Sequence, residues 1–403
     1  MHRIEAVRFA GPYPRIMRML AACSLGGVGH LNPLLPFLAA AERLGDDVEV
    51  AGPPALRDMV GKAGYRFEPG GEPPEAEVAV IREQLPVVPA TEGSVLGNRE
   101  LFGRLATRAM LPGMQRIFEE WHPDLVLRDP SEYASAVLAH RMGTRVAQVA
   151  ISFADVEAGS IAVASPALDE HLPGLSDVLM ATPYLTRFPR SLDPSPFPAT
   201  VRFQEAITTS PEPLPGWWGD LSGPLVYMTF GTVLGYMADA ADVYRAAIRA
   251  VERLDARVLM TVGRKVDASV LSPLPRHVHV EAWVDQHRVL GHAQLVVTHC
   301  GSGTALGSLA AGVPIVAVPL FADQFENSRR IADAGAAFTV EGRRDRDART
   351  RSLLSDQDGP NLTAAIDAVL GDGHYRYNAG LIAAEMAAMP TPDTVLRQVL
   401  SPH

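Results

Sequence analysis

The segment Leu295-Val-Val-Thr-His-Cys-Gly-Ser-Gly-Thr-Ala-Leu-Gly307 carries the most pointed chemistry in the chain. An apolar run empties into Gly301-Ser302-Gly303-Thr304, and a helical pattern begins directly afterwards. Glycines let a backbone approach a phosphate closely, and a helix N-terminus turns unpaired N–H groups and positive dipole toward it. His299 and the Thr304 hydroxyl can add donors, so the segment predicts a diphosphate site. The residues leave its ligand open. Gly301, Gly303 and Gly307 also fit a loosened dinucleotide fingerprint, with Asp323 lying 22 residues beyond Gly301 as a ribose-binding acid. A glycine turn needed only for close strand-to-helix packing is the third reading.

A second constellation is Leu25-Gly-Gly-Val-Gly-His-Leu-Asn-Pro33. Asn32 stands where the dinucleotide fingerprint needs its third glycine, so that reading fails here. A histidine with near-neutral pKa suits the removal of a hydroxyl proton, although His30 taken alone reads as a loop residue bonded to backbone. Pro123-Asp-Leu-Val-Leu-Arg-Asp129 ends another apolar run on an aspartate. Asp129 is placed either to orient an imidazole or to cap a helix beginning near Ser131.

Such groups need a scaffold, and the alternation of short apolar runs with amphipathic stretches predicts an α/β chain with parallel sheets covered by helices. In the first half, strands are expected at Met17 to Ser24, Val48 to Ala51, Asp124 to Asp129 and Arg145 to Ile151. Helices are expected at Leu34 to Leu44, Pro54 to Ala63 and Ser131 to Arg141. Ser210-Pro-Glu-Pro-Leu-Pro-Gly-Trp-Trp-Gly then breaks the pattern, and the alternation restarts at Leu225. The expected second-half strands are Leu225 to Phe230, Arg257 to Val262, His277 to Ala282, Leu295 to Thr298 and Ile315 to Pro319. Its helices are Ala238 to Leu254, Thr304 to Ala311 and Gln324 to Ala334. The division is therefore a first Rossmann-like domain over 1–207, a linker over 208–224 and a second Rossmann-like domain over 225–403. Two such halves facing each other place a ligand in the cleft, at the carboxyl ends of the strands.

Composition narrows the ligand. The chain has 403 residues, with 36 basic and 46 acidic side chains and a formal net charge of -10. That charge opposes an extended nucleic-acid or anionic-membrane surface, so phosphate must be met locally. Cys23 and Cys300 are too few for a disulfide framework, and a reducing cytoplasm is the expected setting. Only Met19 to Ala22 separate Arg18 from Cys23, too short for a secretory core, and the longest apolar run, Leu309 to Ala322, is interrupted by Pro314 and Pro319. No membrane segment is expected.

Taken together, the motifs resemble the nucleotide-sugar glycosyltransferases of family 1 with the GT-B fold, particularly bacterial enzymes that glycosylate antibiotics and other natural products. The resemblance rests on Trp283-Val-Asp-Gln286, His299-Cys-Gly-Ser-Gly-Thr304, Gly312-Val-Pro314 and Asp323-Gln-Phe-Glu-Asn327, with 24 residues from His299 to Asp323. It implies that Trp283 stacks on the nucleotide base with Val284 and Gln286 nearby. It implies that His299, Gly301, Ser302, Gly303 and Thr304 hold the diphosphate, with Thr232 reaching it from Phe230-Gly231-Thr232. Asp323 and Gln324 would bond sugar hydroxyls, supported by Asn327. From the residues alone, Trp283 also reads as a core aromatic and Asp323 as a helix cap.

The Gly-x-Gly-His-x-x-Pro-like motif at His30 resembles the family's acceptor side, which implies that His30 is the general base and Asp129 its partner. One departure matters. Many family members carry a glutamate eight residues after the histidine to grip ribose hydroxyls, and this chain has Gly307. A missing ribose clamp suits a dTDP-sugar, whose deoxyribose offers one hydroxyl fewer.

The implied reaction is an inverting, metal-independent transfer of a (deoxy)sugar to a hydroxyl of a hydrophobic natural-product aglycone. No cofactor or metal is expected, since the nucleotide-sugar is a co-substrate. Asp345-Arg-Asp347 imitates a metal motif but sits in a charge-rich stretch that reads as a solvated loop. The acceptor is expected in the first half, whose 72–117 and 153–188 regions pattern less regularly. Phe102, Met110, Met114 and Met180 there read as core packing as readily as pocket lining. The C-terminal helix is available to pack back on the first domain, and a homodimer is compatible with the chain. An epimerase or hydrolase of nucleotide-sugars on the same fold, a non-catalytic GT-B-like partner protein and a nicotinamide oxidoreductase are the competing readings.

Overall fold

The structure is a computed structural model that describes residues 16–25, 27–85, 88–204, 212–231, 233–237, 240–341, 343–344 and 352–400. Two parallel sheets organise it. The first comprises β1 (Arg18–Ala22), β2 (Asp47–Gly52), β3 (Arg66–Pro69), β4 (Leu125–Arg128), β5 (Arg145–Val149), β6 (Tyr184–Thr186) and β7 (Thr200–Arg202), in the order β3-β2-β1-β4-β5-β6-β7. The second comprises β8 (Leu225–Thr229), β9 (Arg257–Thr261), β10 (Val278–Glu281), β11 (Leu295–Thr298), β12 (Ile315–Ala317) and β13 (Ala337–Thr339), in the order β10-β9-β8-β11-β12-β13. The central strands β4, β8 and β11 are buried at every position, as sheets covered on both faces require.

In each sheet the strand order reverses beside the first strand, between β1 and β4 and again between β8 and β11. A crevice opens outside the carboxyl ends of the strands at such a point, because the flanking connections run to opposite sides. The loops leaving β1 and β4 carry His30 and Asp129. Those leaving β8 and β11 carry Gly231 and His299.

Strands and helices differ from the expected ones in instructive places. The short strands β3, β6, β7 and β13 have three or four residues each, too few for a period to register. The 72–117 and 153–188 regions are mostly helical: Glu75–Gln84, Ala90–Ser94, a π-helical stretch Val95–Ala106, Thr107–Trp121, Ala154–Leu168 and Leu175–Ala181. Pro112 and Pro166 lie inside two of these helices, where a sequence reading expects a break. The helix expected to start at Ser131 begins at Ala134, and Ser131 does not cap it. Glu132 instead accepts the Ser135 N–H at 3.1 Å.

The halves share more than a linker. One hydrophobic cluster joins Phe153, Phe188 and Leu192 of the first half to Cys300, Leu306, Ile315 and Ile331 of the second. Residues from 212 onward in the proline-rich segment pack on the second sheet, where buried Trp218 donates to the His277 carbonyl at 3.0 Å. The last helix, Pro392–Leu400, inserts Val395 and Leu396 into the core of the first sheet beside Phe37 and Leu38. Among the described residues, no helix is long and apolar enough to cross a membrane.

Candidate functional site

His30 lies in the short helix Val28–Leu31, one loop beyond β1. Asp129 follows β4 and is fully buried. Its Oδ2 accepts the Ser24 N–H at 2.6 Å, and its Oδ1 accepts the Ser131 N–H at 2.7 Å and the His30 Nδ1 at 3.1 Å. Asp129 therefore hydrogen-bonds the imidazole and does not cap the helix that follows, whose N-cap is Tyr133. Arg128 fixes the same loop from below: its buried guanidinium donates to the Pro130 and Glu132 carbonyls and to Gln148 Oε1. Phe102 stacks on the imidazole with ring centroids 6.0 Å apart.

Burial alone would disfavour the imidazolium, yet the charge and hydrogen bond of Asp129, with Asp323 adding to them, raise the His30 pKa above its ordinary value. Burial likewise works against an ionised Asp129, but His30 and the Ser24 and Ser131 amides outweigh it and lower its pKa. An ionised carboxylate can only accept, so Nδ1 carries the proton and Nε2 is left as the basic nitrogen.

Across the cleft, β11 ends at Thr298 and His299 follows it directly. Cys300 takes φ of 65°, a left-handed conformation uncommon for a side chain with a Cβ, and turns the chain into the helix Ser302–Ala310. Gly301 is its N-cap and supplies no side chain to bond the first-turn amides. Both flanking glycines are explained by His299: a Cβ on Gly231 would lie 2.7 Å from its ring, and one on Gly301 would lie 2.5 Å from Nε2. Burial lowers the His299 pKa to about 4, against a smaller opposing contribution from the Thr229 backbone. His299 is therefore neutral near pH 7 and offers a hydrogen bond rather than a charge.

Asp323 precedes the helix Gln324–Asp333 but does not cap it. Its Oδ2 instead accepts from Ser152 Oγ at 3.1 Å, Asn327 Nδ2 at 3.2 Å and Ser302 Oγ at 3.3 Å. Three donors pin one oxygen and leave Oδ1 for a ligand. Asn327 also donates to the Cys300 carbonyl at 2.9 Å, which ties the phosphate-type loop to this helix. Gln324 is buried, and its Oε1 accepts the Leu320 and Phe321 N–H groups at 2.9 and 3.1 Å, so only its amide NH2 is available.

Trp283 is 60% exposed and is not a core aromatic; the Arg264 guanidinium sits 5.8 Å from its ring centre. Val284 is partly buried against the second sheet. Gln286 accepts from the Thr304 hydroxyl at 3.1 Å, and its amide nitrogen lies 2.8 Å from where a Cβ on Gly307 would stand. Gly303 has open space around its missing side chain. Thr232 and Asp345 to Asp347 lie outside the described residues. Among the described residues, no group of three or more His, Cys, Asp or Glu side chains is arranged to hold a metal ion. Met110 and Met114 are fully buried in the first-half core, while Phe102 and Met180 pack at its edge.

Sequence reasoning missed Ser152, the first-half residue that reaches Asp323. Its signal was positional: it follows β5 at the carboxyl end of the sheet, where ligand-facing residues gather. Glu157 was missed as well. It is buried, accepts the Ile151 and Ser152 N–H groups at 2.8 and 2.7 Å, and thereby fixes the loop that aims Ser152.

The chain is similar to known proteins over nearly its whole length. L-demethylnoviosyl transferase of Streptomyces niveus is 30% identical, with 94% of this chain and 96% of that protein aligned. Oleandomycin glycosyltransferase of Streptomyces antibioticus is 28% identical over 92% of this chain and 91% of its own. The family profile described as "Erythromycin biosynthesis protein CIII-like, C-terminal domain" matches residues 245–401. Among solved structures, spinosyn rhamnosyltransferase SpnG complexed with thymidine diphosphate superposes with a TM-score of 0.73 at 24% identity, covering 96% of this chain and 100% of that one.

Proposed function

The chain belongs to the family 1 natural-product glycosyltransferases of GT-B fold, and on that premise we propose that it transfers a sugar from a dTDP-linked donor with inversion, using His30 as the base. It is a glycosyltransferase, and its relatives support transfer of a sugar to a natural-product aglycone. The first half, with residues 1–207, binds the acceptor, and the second, 225–403, binds the donor.

The observation that carries the reading is the convergence of two sites. The His30–Asp129 pair ends one sheet, and the Asp323 carboxylate, at the start of a helix of the other half, accepts at 3.1 Å from Ser152, which follows β5 of that same sheet. A sugar whose hydroxyls engage Asp323 Oδ1 and the Gln324 amide presents its anomeric carbon between the two sheets. The acceptor oxygen attacks that carbon as its proton passes to His30 Nε2. The new bond to the acceptor oxygen forms as the bond to the phosphate oxygen breaks, and the nucleoside diphosphate leaves with the electron pair. Asp129 stabilises the imidazolium that results. The amides of Ser302, Gly303 and Thr304 receive the departing diphosphate, with His299 and Thr232 assigned beside them, while the Ser302 and Thr304 hydroxyls stay donated to Asp323 and Gln286. This reading invokes no metal.

Trp283 offers its exposed face to the base, with Val284 and Gln286 at its edge. Support for dTDP comes from Gly307. A glutamate there would have to displace the Gln286 amide, so the space of the ribose clamp is already filled. The relative fold carrying thymidine diphosphate is in keeping with this. Calorimetric titration tests it: dTDP should bind more tightly than UDP, and the reverse order overturns the donor assignment. Donor turnover without acceptor dependence favours the epimerase or hydrolase alternative.

A further inference from the structure

The helix Gln324–Asp333 begins at the candidate sugar site and ends against the other half of the molecule. Seven residues beyond Asp323, Arg330 turns toward the first half. Its Nη2 pairs with Asp155, its Nη1 lies 3.7 Å from Asp193 Oδ1 and donates to the Leu192 carbonyl at 3.4 Å, and its guanidinium stands 4.4 Å from the centre of the Phe153 ring. Nε is held on its own helix by Glu326 at 2.6 Å. The Arg330 side chain is only 12% exposed and Asp193 is fully buried. Asp193 in turn accepts the Ala154 N–H at 3.1 Å, so the arginine grips the first turn of the helix Ala154–Leu168 and the segment after β6 at once.

We infer that Arg330 is a positioning residue: with Asp155, Asp193 and Phe153 it forms a latch between the halves that sets where Asp323 stands relative to His30. Two contacts fix a helix better than one. Ser152 holds the start of Gln324–Asp333 through Asp323, and Arg330 holds its middle, about two turns away. Both anchors on the first half lie within four residues of each other, at Ser152, Phe153 and Asp155, and Glu157 secures that stretch from within. The latch borders the apolar cluster that both halves share. Neither half therefore positions the sugar-binding carboxylate alone. The planar guanidinium matters because one group must satisfy three carboxylates and a carbonyl while lying on an aromatic face, which an ammonium does less well.

The inference rests on the reading of Asp323 as a sugar ligand, and its test keeps the two separable. Cys23 and Cys300 are both buried, so spin labels go selectively on Val80→Cys and Val270→Cys, exposed positions in the two halves. Pulsed electron resonance on the full chain measures the distance between them, and calorimetry measures dTDP binding. The parent pair should give one narrow distribution. Arg330→Met should broaden it and displace its mean by about 3 Å or more, as a released hinge does. Arg330→Lys should fall between the two, and dTDP affinity should stay within about twofold because the nucleotide site lies in one half. Asp155→Asn, a change at a half-exposed side chain, supplies the same test should Arg330→Met not fold. An unchanged distribution in both variants overturns the latch. So does dTDP affinity that weakens in step with the broadening, since Arg330 would then serve the donor half's own fold. A parent protein that fails to bind dTDP while the broadening persists removes the donor reading and leaves the latch standing.

Discussion

Replacing Asp129 with Asn probes the base at its weakest tolerance. The carboxylate accepts three N–H donors: Ser24 at one oxygen, and Ser131 and His30 at the other. A primary amide has one oxygen, so either orientation sets its NH2 against a donor. With the amide oxygen toward His30, the NH2 meets the Ser24 N–H at 2.6 Å. With the amide flipped, Nδ1 of His30 must accept, the proton moves to Nε2, and the catalytic nitrogen is no longer basic. Charge is lost too. At the observed 3.1 Å, attraction between imidazolium and carboxylate amounts to about 5 kcal/mol at an effective dielectric constant of about 20. At about 1.36 kcal/mol per tenfold, that bounds the loss near 10⁴-fold, and about 10³-fold is expected. The pH profile adds a signed check. Asp129 raises the His30 pKa against burial, so its removal lowers that pKa. The acidic limb of kcat should move to lower pH while the plateau drops. Steady-state kinetics across the acid range read both effects. A variant within about threefold of the parent rate, or one whose acidic limb stays in place, refutes the pair as the base.

Two further expectations follow from the same site. Ser152→Ala removes one of three donors on Asp323 Oδ2, worth about 1 kcal/mol, and should lower kcat by roughly fivefold with dTDP affinity unchanged; an unaltered kcat shows that Asp323 needs no help from the first half. Burial raises the Glu157 pKa to about 8 against the smaller opposing effect of its hydrogen bonds, and the unfolded carboxyl titrates at its ordinary 4.5. The parent therefore loses stability as pH rises from the lower value toward the higher, while Glu157→Gln keeps an amide oxygen for the Ile151 and Ser152 N–H groups and does not titrate. In urea unfolding, the variant's advantage should grow by about 1.4 kcal/mol per pH unit between about pH 5 and about pH 7; a pH-independent difference contradicts the buried neutral carboxyl.

Much of the fold was legible because parallel strands buried on both faces leave continuous apolar runs, and all four expected first-half strands and all five expected second-half strands lie where the runs stand. Short strands such as β6 and β13 escaped notice because three residues show no period. The helices of the 72–117 and 153–188 regions escaped because those regions pattern less regularly, and Pro112 and Pro166 lie inside two of them. At the site, His30, Asp129, His299 and Asp323 were marked by their places at strand ends and by motif spacing. Ser152, Glu157 and Arg330 carry no motif, and each matters through a contact with residues that only folding brings near, 171 positions apart for Ser152 and Asp323. Even the familiar residues gained detail: Gln324 has its oxygen committed to the chain, and His299 is neutral.

The central claim is that His30 removes the acceptor's proton. His30→Ala measured against the parent for both dTDP binding and sugar transfer tests it most directly. Binding should remain intact, because the donor site lies across the cleft, while turnover falls by about 10²- to 10⁴-fold. Turnover equal to the parent's, with binding intact, would contradict the account.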